Sequence, residues 1–445
     1  MQIDRLTLAA SKLPRYTSYP TAAQFSDAVG PGDTEAWLRA TDTREAASLY
    51  VHVPFCRRLC RYCGCNTEIT SRTAPIARYL ATLYREIELV TARLPGPLAI
   101  SHLHFGGGTP SILSAPEFTA LMTHLRARFD LHPDAEVAIE IDPRGLDEAR
   151  IATYAACGVN RVSLGIQDLD AEVQRAIDRI QPLALVASTV AALRAAGLTR
   201  IAMDLIYGLP RQNEETIART VADAVRLSPD RVALFGYAHV PWMKPHQRLL
   251  ESAGLPGIGE RIKISDAATS ALRHAGYESI GIDHFARPDD ALAVAARAGS
   301  LHRNFQGYTT DDASTLIGLG PSAIGSFAGG HVQNATRTDH WAAAIASGRL
   351  ATTRGVRLDA TDRRRGRIIE QLMCNFAADL AAELAEDPAL AGILVGLDDL
   401  ARAGLVTREG TEITIPLGAR PFARIVAARF DSYLSPTATR HAVAV

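Results

Sequence analysis

Hydrophobic positions in the first half of the chain follow two alternating rhythms. Short β-branched runs lie at 48–53, 100–105, 137–141, 161–166, 201–206 and 232–237. Between them, amphipathic stretches at 75–94, 115–129, 147–157, 184–196 and 213–227 carry helical spacing. This alternation predicts a parallel sheet with helices outside it. Six such units without a dinucleotide fingerprint predict a barrel or an incomplete barrel rather than a doubly wound sheet. In parallel barrels, chemistry collects at the carboxyl ends of the strands.

The polar features obey that rule. Four cysteines follow the first run and Gly106-Gly107-Gly108-Thr109-Pro110 follows the second. Glu140 and Asp142 end the third, Gln167 and Asp168 follow the fourth, Asp204 lies within the fifth, and Ala238 and His239 close the sixth. Beyond 240 the rhythm changes. A helix is expected over 260–276 and a further strand over 277–285, and 302–328 is rich in Gly, Asn, Gln and Thr. The chain turns helical again from about Asp359, and 397–430 reads helix, hairpin, helix, an order resembling a small winged-helix unit.

At 445 residues the chain is long enough for two or three domains, and a 47% hydrophobic, 21% charged composition is that of a soluble globular enzyme. A net charge of −1 gives no case for nucleic-acid or acidic-membrane binding. No apolar run approaches a bilayer span. The opening residues contain Asp4 and Arg5 and no apolar core, so no signal peptide is expected and the cytoplasm is the expected location.

The strongest chemical signal is Cys56, Cys60, Cys63 and Cys65, spaced C-x3-C-x2-C-x-C. Thiolates suit iron–sulfur clusters, zinc or copper. Structural zinc usually shows two separated ligand pairs, and no second pair follows here. Disulfides this close in sequence would be strained. Three cysteines at 3-then-2 spacing can hold three corners of a cubane and leave a fourth iron open to a small molecule. Cys157 and Cys374 sit in apolar helical contexts and read as small buried hydrophobes.

Other candidates carry two readings each. The Gly106–108 turn is a tight connection or a place where backbone meets ligand. Glu140 and Asp204 stand among apolar strand residues, so each needs a partner, structural or ligand-borne, to offset desolvation. Arg179 falls on a stretch expected to be a polar helix surface, where a solvated charge is the plain reading. His52 is a packed histidine or a proton donor. The segments 14–22 and 302–310 concentrate aromatics and donors outside any periodic element and read as ordered arm and loop.

The cysteine spacing resembles the signature of radical S-adenosylmethionine (SAM) enzymes. The segments 14–22, 106–110, 165–168, 204–210, 237–241, 283–290 and 302–310 together resemble the oxygen-independent coproporphyrinogen III oxidase family over nearly the full length. The resemblance implies an α/β fold, an incomplete (β/α)6 TIM-like radical SAM barrel with an N-terminal arm and a mainly helical C-terminal domain. Its boundaries are expected at 1–45 for the arm, 46–330 for the barrel with a substrate-binding extension, and 331–445 for the winged-helix-like domain.

It further implies a [4Fe-4S] cluster on Cys56, Cys60 and Cys63, and two SAM molecules. Tyr50, Gly107 and Glu140 match positions contacting the SAM on the cluster. Tyr62, Gly108, Thr109, Gln167, Arg179, Asp204, Ala238 and Ile324 match the second SAM site. His52 and Cys65 are catalytic candidates, the role of Cys65 being open. The implied reaction is oxidative decarboxylation of two propionates of coproporphyrinogen III, with Arg15, Arg303 and Gln306 as candidates for its carboxylates. The expected partners are that substrate and an electron donor such as a flavodoxin or ferredoxin system. The expected chain is a monomer without nucleic acid or membrane. Related heme chaperones share the barrel but lack Cys65 and the 302–310 block; a chaperone, or another tetrapyrrole-modifying radical SAM enzyme, is the alternative.

Overall fold

The computed structural model describes residues 7–8 and 10–434. Six strands pair in parallel and in chain order: β1 (Ala47–Val53), β2 (Ala99–Gly107), β3 (Asp130–Ile141), β4 (Arg161–Gln167), β5 (Ile201–Tyr207) and β6 (Arg231–Gly236). The helices Ala74–Thr91, Ala115–Arg126, Glu148–Ala156, Leu183–Ala195 and Glu214–Arg226 connect them, as the periodicity predicts. The last starts at a capping box in which Asn213 and Thr216 exchange side-chain and backbone bonds, and it buries Ile217, Val221 and Ala224. These residues join one core with the strands' outward side chains. Cys157 and Cys374 are buried, as their contexts predict.

The sheet is wider than the six-strand expectation. It also contains β7 (Glu278–Ile280) and β8 (His284–Ala286). Two short strands, β9 (His302–Asn304) and β10 (Gly307–Thr309), form a separate hairpin. Then β11 (Leu316–Leu319), β12 (Ile324–Phe327), β13 (Gly330–Asn334) and β14 (Thr352–Arg357) return to the main sheet. Its order is β14-β13-β12-β11-β1-β2-β3-β4-β5-β6-β8-β7. Strand β11 is a seventh parallel member, beside β1, and both edges are finished by antiparallel strands. The sheet is therefore an open barrel.

Two expectations are corrected here. The single strand over 277–285 is the β7–β8 pair, broken at Gly281. That residue has φ +57°, and a Cβ on it would overlap the Tyr308 ring. The sheet also continues past residue 330, because β13 is buried throughout and pairs with β14 up to Arg357. The helical C-terminal region begins with Ala360–Cys374, followed by a small sheet of Ala377–Asp379, Thr407–Glu409 and Glu412–Thr414. The helix–hairpin–helix order is present, with a third strand added. Among the described residues no helix is long and apolar enough to cross a membrane.

Strand β5 shows how the barrel divides its faces. Ile201, Met203, Leu205 and Tyr207 are buried, while Ala202, Asp204 and Ile206 alternate with them on the inner wall. The same period places Glu136 and Glu140 on β3, and Ser163, Gly165 and Gln167 on β4, facing inward.

One buried carboxylate ties the open edge to the rest. Glu86, 2% exposed on the helix Ala74–Thr91, accepts from Gly320 N (2.6 Å), Asn334 Nδ2 (2.8 Å) and Trp341 Nε1 (3.0 Å). Gly320 in turn lies so close to β1 that a Cβ there would sit 2.5 Å from His52 O. Replacing Glu86 with Leu strands three buried donors, each costing about 1–3 kcal/mol. Denaturant unfolding of Glu86→Leu should therefore show a loss of at least about 3 kcal/mol; an unchanged midpoint would remove Glu86 from this role.

Candidate active site

Strand β1 runs directly into the cysteine loop, and the loop is pinned by its carbonyls. Gln247 Nε2 donates to Tyr62 O (2.9 Å), Lys244 Nζ to Cys65 O (2.7 Å), and His246 Nε2 lies 2.8 Å from Cys63 O. The sulfurs face donors. Thr67 Oγ1 donates to Cys56 Sγ (3.3 Å) and the Thr109 hydroxyl is 3.1 Å from it. Arg144 and Arg179 each bring a guanidinium nitrogen to 3.5 Å from Cys60 Sγ. Burial pushes the Cys56 thiol up, and the Thr109 and Thr67 bonds offset part of that. Among the described residues no three His, Cys, Asp or Glu side chains gather as around a single ion. Four cysteines on one loop are the soft donor set that an iron–sulfur cubane takes.

A cavity of about 560 Å³ lies against this loop. All four clustered cysteines line it, together with Tyr62, Gly107, Gly108, Thr109, Glu140, Gln167, Arg179, Asp204 and Ala238. Strands and loops far apart in sequence thus converge on one space. Glu140, Asp204 and Phe235 also border an inner chamber of about 210 Å³, where Tyr50 lies. The Tyr50 ring stacks on His104 at 5.8 Å.

The two inner carboxylates are held differently. His104 Nε2 lies 3.1 Å from Glu140 Oε1, and Gly107 N donates to Oε2 (3.3 Å). Burial pushes Glu140 up, but these bonds and the His104 ring bring it below the usual carboxylate range. Asp204 has one hydroxyl donor, Ser163 Oγ at 3.1 Å. Burial, and then the Glu140 charge, push it up to about 7. Two carboxylates on one wall are therefore pushed in opposite directions, as acid–base and ligand sites often require.

Arg179 corrects the surface expectation. It is 6% exposed, lies beyond the short helix Ala171–Ala176, and donates to Asp142 (3.1 Å) and Gly165 O (2.6 Å). Its Nε is buried with no acceptor among the described residues, a donor free for a ligand oxygen or nitrogen. Burial opposes its charge, yet Tyr62, Asp142 and Cys60 raise its pKa. Gln167 holds a φ of +67°, beside a register shift between β4 and β5. Such a bulge redirects a side chain at the end of a strand.

Two candidates are placed elsewhere. His52 is buried behind Gly107 and does not line the cavity. Its Nε2 donates to Asn66 O (2.9 Å) and its Nδ1 meets Tyr50 Oη (3.1 Å), so both ring nitrogens are engaged. Gly107, at φ +112°, has no room for a Cβ, which would lie 2.7 Å from that ring. Burial lowers the His52 pKa, and the arrangement is that of a packed neutral imidazole. Ile324 opens β12 on the Tyr50 side of the sheet. Its carbonyl lies over Gly318, the β11 partner of Tyr50, and it does not line the cysteine cavity. Cys65 is exposed at the cavity rim.

Sequence reasoning missed Arg144, Thr67 and the 244–247 clamp. Arg144 had a signal, since it follows the β3 exit directly; the clamp had none, being 180 residues from the loop it holds.

Fold and site define a radical SAM protein, and the Radical SAM superfamily pattern matches residues 50–224. The oxygen-independent coproporphyrinogen III oxidase of Bradyrhizobium diazoefficiens is 45% identical over 438 residues, covering 98% of this chain and 97% of that one. Its counterpart from Pseudomonas aeruginosa is 42% identical, covering 95% and 93%. The solved coproporphyrinogen III oxidase of Escherichia coli, described as a radical SAM enzyme, superposes with a TM-score of 0.90 at 37% identity, over 95% of this chain and 100% of that one. The chain belongs to the oxygen-independent coproporphyrinogen III oxidase family.

Two outcomes are expected. Cys56→Ala, Cys60→Ala or Cys63→Ala should each abolish cluster assembly, while Cys65→Ala keeps near-normal iron; iron analysis and electron paramagnetic resonance decide. For Asp204, the native pKa stands above that of the unfolded chain, so its contribution to stability falls as pH rises from about 4 to 7. A ligand bringing an ammonium or hydroxyls favours the ionised form. SAM binding at pH 6 should therefore release protons, measured by calorimetry in buffers of different ionisation enthalpy. Asp204→Asn should abolish that release.

Proposed function

We propose that this chain performs the reaction its relatives are named for: oxidative decarboxylation of two propionates of coproporphyrinogen III to vinyl groups, releasing CO2 and yielding protoporphyrinogen IX. The observation that carries this reading is the extent of the likeness. It reaches beyond the barrel to the arm and the 302–310 hairpin, and these two segments meet at the barrel mouth.

Arg303 makes that junction. Its Nε donates to Tyr16 O and its Nη2 to Arg15 O, both at 3.2 Å, and its guanidinium lies 4.2 Å from the Tyr308 ring centroid. Expected as a propionate ligand, Arg303 instead anchors the arm. Arg15 is carried to the mouth, where it donates to Gly236 O (3.0 Å) and lines the cysteine cavity. Tyr16 and Tyr19 fasten the other side through Asp431 (3.0 Å) and Ser432 (2.9 Å). Gln306 borders the inner chamber.

When bound, the cluster and SAM would supply a carbon-centred radical able to take a hydrogen atom from a propionate β-carbon, and loss of CO2 with one electron, passed to an electron acceptor, then leaves the vinyl group. The chain's part is placement. Cys56, Cys60 and Cys63 hold the cluster. Tyr50, Gly107 and Glu140 receive the SAM on it, with Ile324 on their side of the sheet. Tyr62, Gly108, Thr109, Gln167, Arg179, Asp204 and Ala238 form the second ligand position. Arg15 takes a substrate carboxylate, and the arm excludes water and competing hydrogen donors. A one-electron carrier of flavodoxin or ferredoxin type is the proposed reductant, and the working form is a cytoplasmic monomer.

Anaerobic incubation with coproporphyrinogen III, SAM and reductant should release two CO2 per substrate and yield the divinyl product. Stable heme binding without CO2 would turn the assignment to a chaperone.

A further inference from the structure

A second cavity, of about 420 Å³, lies between the β5 and β6 exits and the C-terminal region, and the placement above leaves it without a role. Its wall is basic. Arg261 and Arg273 come from the helix Ile258–His274, Arg420 and Arg424 from the C-terminal region, and Arg15 from the arm. Against five cations stand two carboxylates, Asp266 and Asp283. Asp283 is already engaged by His284 Nδ1 at 2.7 Å, with Arg303 at 3.9 Å.

Arg261 is 9% exposed. Its Nη1 donates to Tyr237 O (3.0 Å), but among the described residues its buried Nε has no acceptor. Arg420, stacked 4.5 Å from the Phe376 centroid, has a buried Nε in the same condition among the described residues. Burial and the neighbouring Arg15 lower both Arg261 and Arg424, the latter to about 10; burial and Arg273 lower Arg420. Among the described lining residues five guanidinium groups face two carboxylates, and such groups crowded out of water favour an anion joining them. Planar forks of this kind match carboxylates two bonds at a time. Arg15, Gly236 and Tyr237 line both this cavity and the cysteine cavity, so the two spaces adjoin.

We infer that the arginine cavity anchors the substrate's non-reacting carboxylate arms, the two that survive into the product, while another arm reaches the cysteine cavity. This rests on the function proposed above. The chemistry recognised is a pair of propionate carboxylates on a tetrapyrrole ring, and substrate and product share it.

The test uses anaerobic holoenzyme and oxidised coproporphyrin III, which cannot be decarboxylated by this route, with binding followed by fluorescence quenching. Arg261→Gln and Arg420→Gln should each weaken binding at least about tenfold, the loss expected for a charge-assisted contact. Arg261→Lys should recover part of it. The porphyrin's tetramethyl ester should bind weakly, and equally, to wild type and variants. In turnover, KM should rise more than kcat falls, and SAM cleavage without substrate should stay at the wild-type rate. Arg420 is half-buried, so its variant decides the matter if Arg261→Gln does not fold. Unchanged coproporphyrin affinity in a folded Arg420→Gln, or equal losses for acid and ester, would overturn the inference. A wild-type enzyme that releases no CO2 would instead overturn the proposed function, and the porphyrin affinities would still decide the cavity.

Discussion

Because the sheet stays open, its inner wall is lined with polar side chains held out of bulk water, and each buried charge there must be matched. The wall carries Glu140 and Asp204 on neighbouring parts of the sheet, with Asp142, Arg144 and Arg179 at the strand ends. Arg179 joins these parts: it bonds the Asp142 carboxylate, the Gly165 carbonyl and the Cys60 sulfur together. A closed barrel would fill this space with apolar layers. Here the apolar layer lies outside, between strands and helices, and the inside is left to ligands.

The same constraint gives the carboxylates different characters. Glu140 has a ring nitrogen and a backbone amide to hold its charge, whereas Asp204 has a single hydroxyl and a charged neighbour. Their environments are incomplete as they stand, in the way expected of a site built around ligands that bring their own ammonium groups and hydroxyls.

The mouth is closed by parts remote in sequence. Arg303 on β9 holds the arm's backbone, Tyr16 and Tyr19 dock on residues 431 and 432, and Arg15 stands where two cavities adjoin. The C-terminal region thus contributes to the site's wall as well as to packing. Its arginines face the space that the barrel alone would leave open to solvent.

Much of this was legible in the chain. Strand and helix positions follow from periods of two and three to four, because each element must bury one face. The cysteine spacing identifies the cluster loop because its ligands are local. Glu140 and Asp204 stand out as charges among apolar strand residues. What the chain concealed depends on contacts over long separations. Arg179 looked like a solvated charge because nothing nearby reveals that Cys60 and Asp142 fold over it. His52 looked available until Tyr50, Asn66 and Gly107 enclosed its ring. Arg303 looked like a substrate ligand until the arm covered it, and the basic cavity gathers arginines from both ends of the chain, Arg15 and Arg424 among them. Local pattern determines which face of an element is buried; only the assembled fold decides which buried charges meet, because their energies depend on partners the local sequence does not contain.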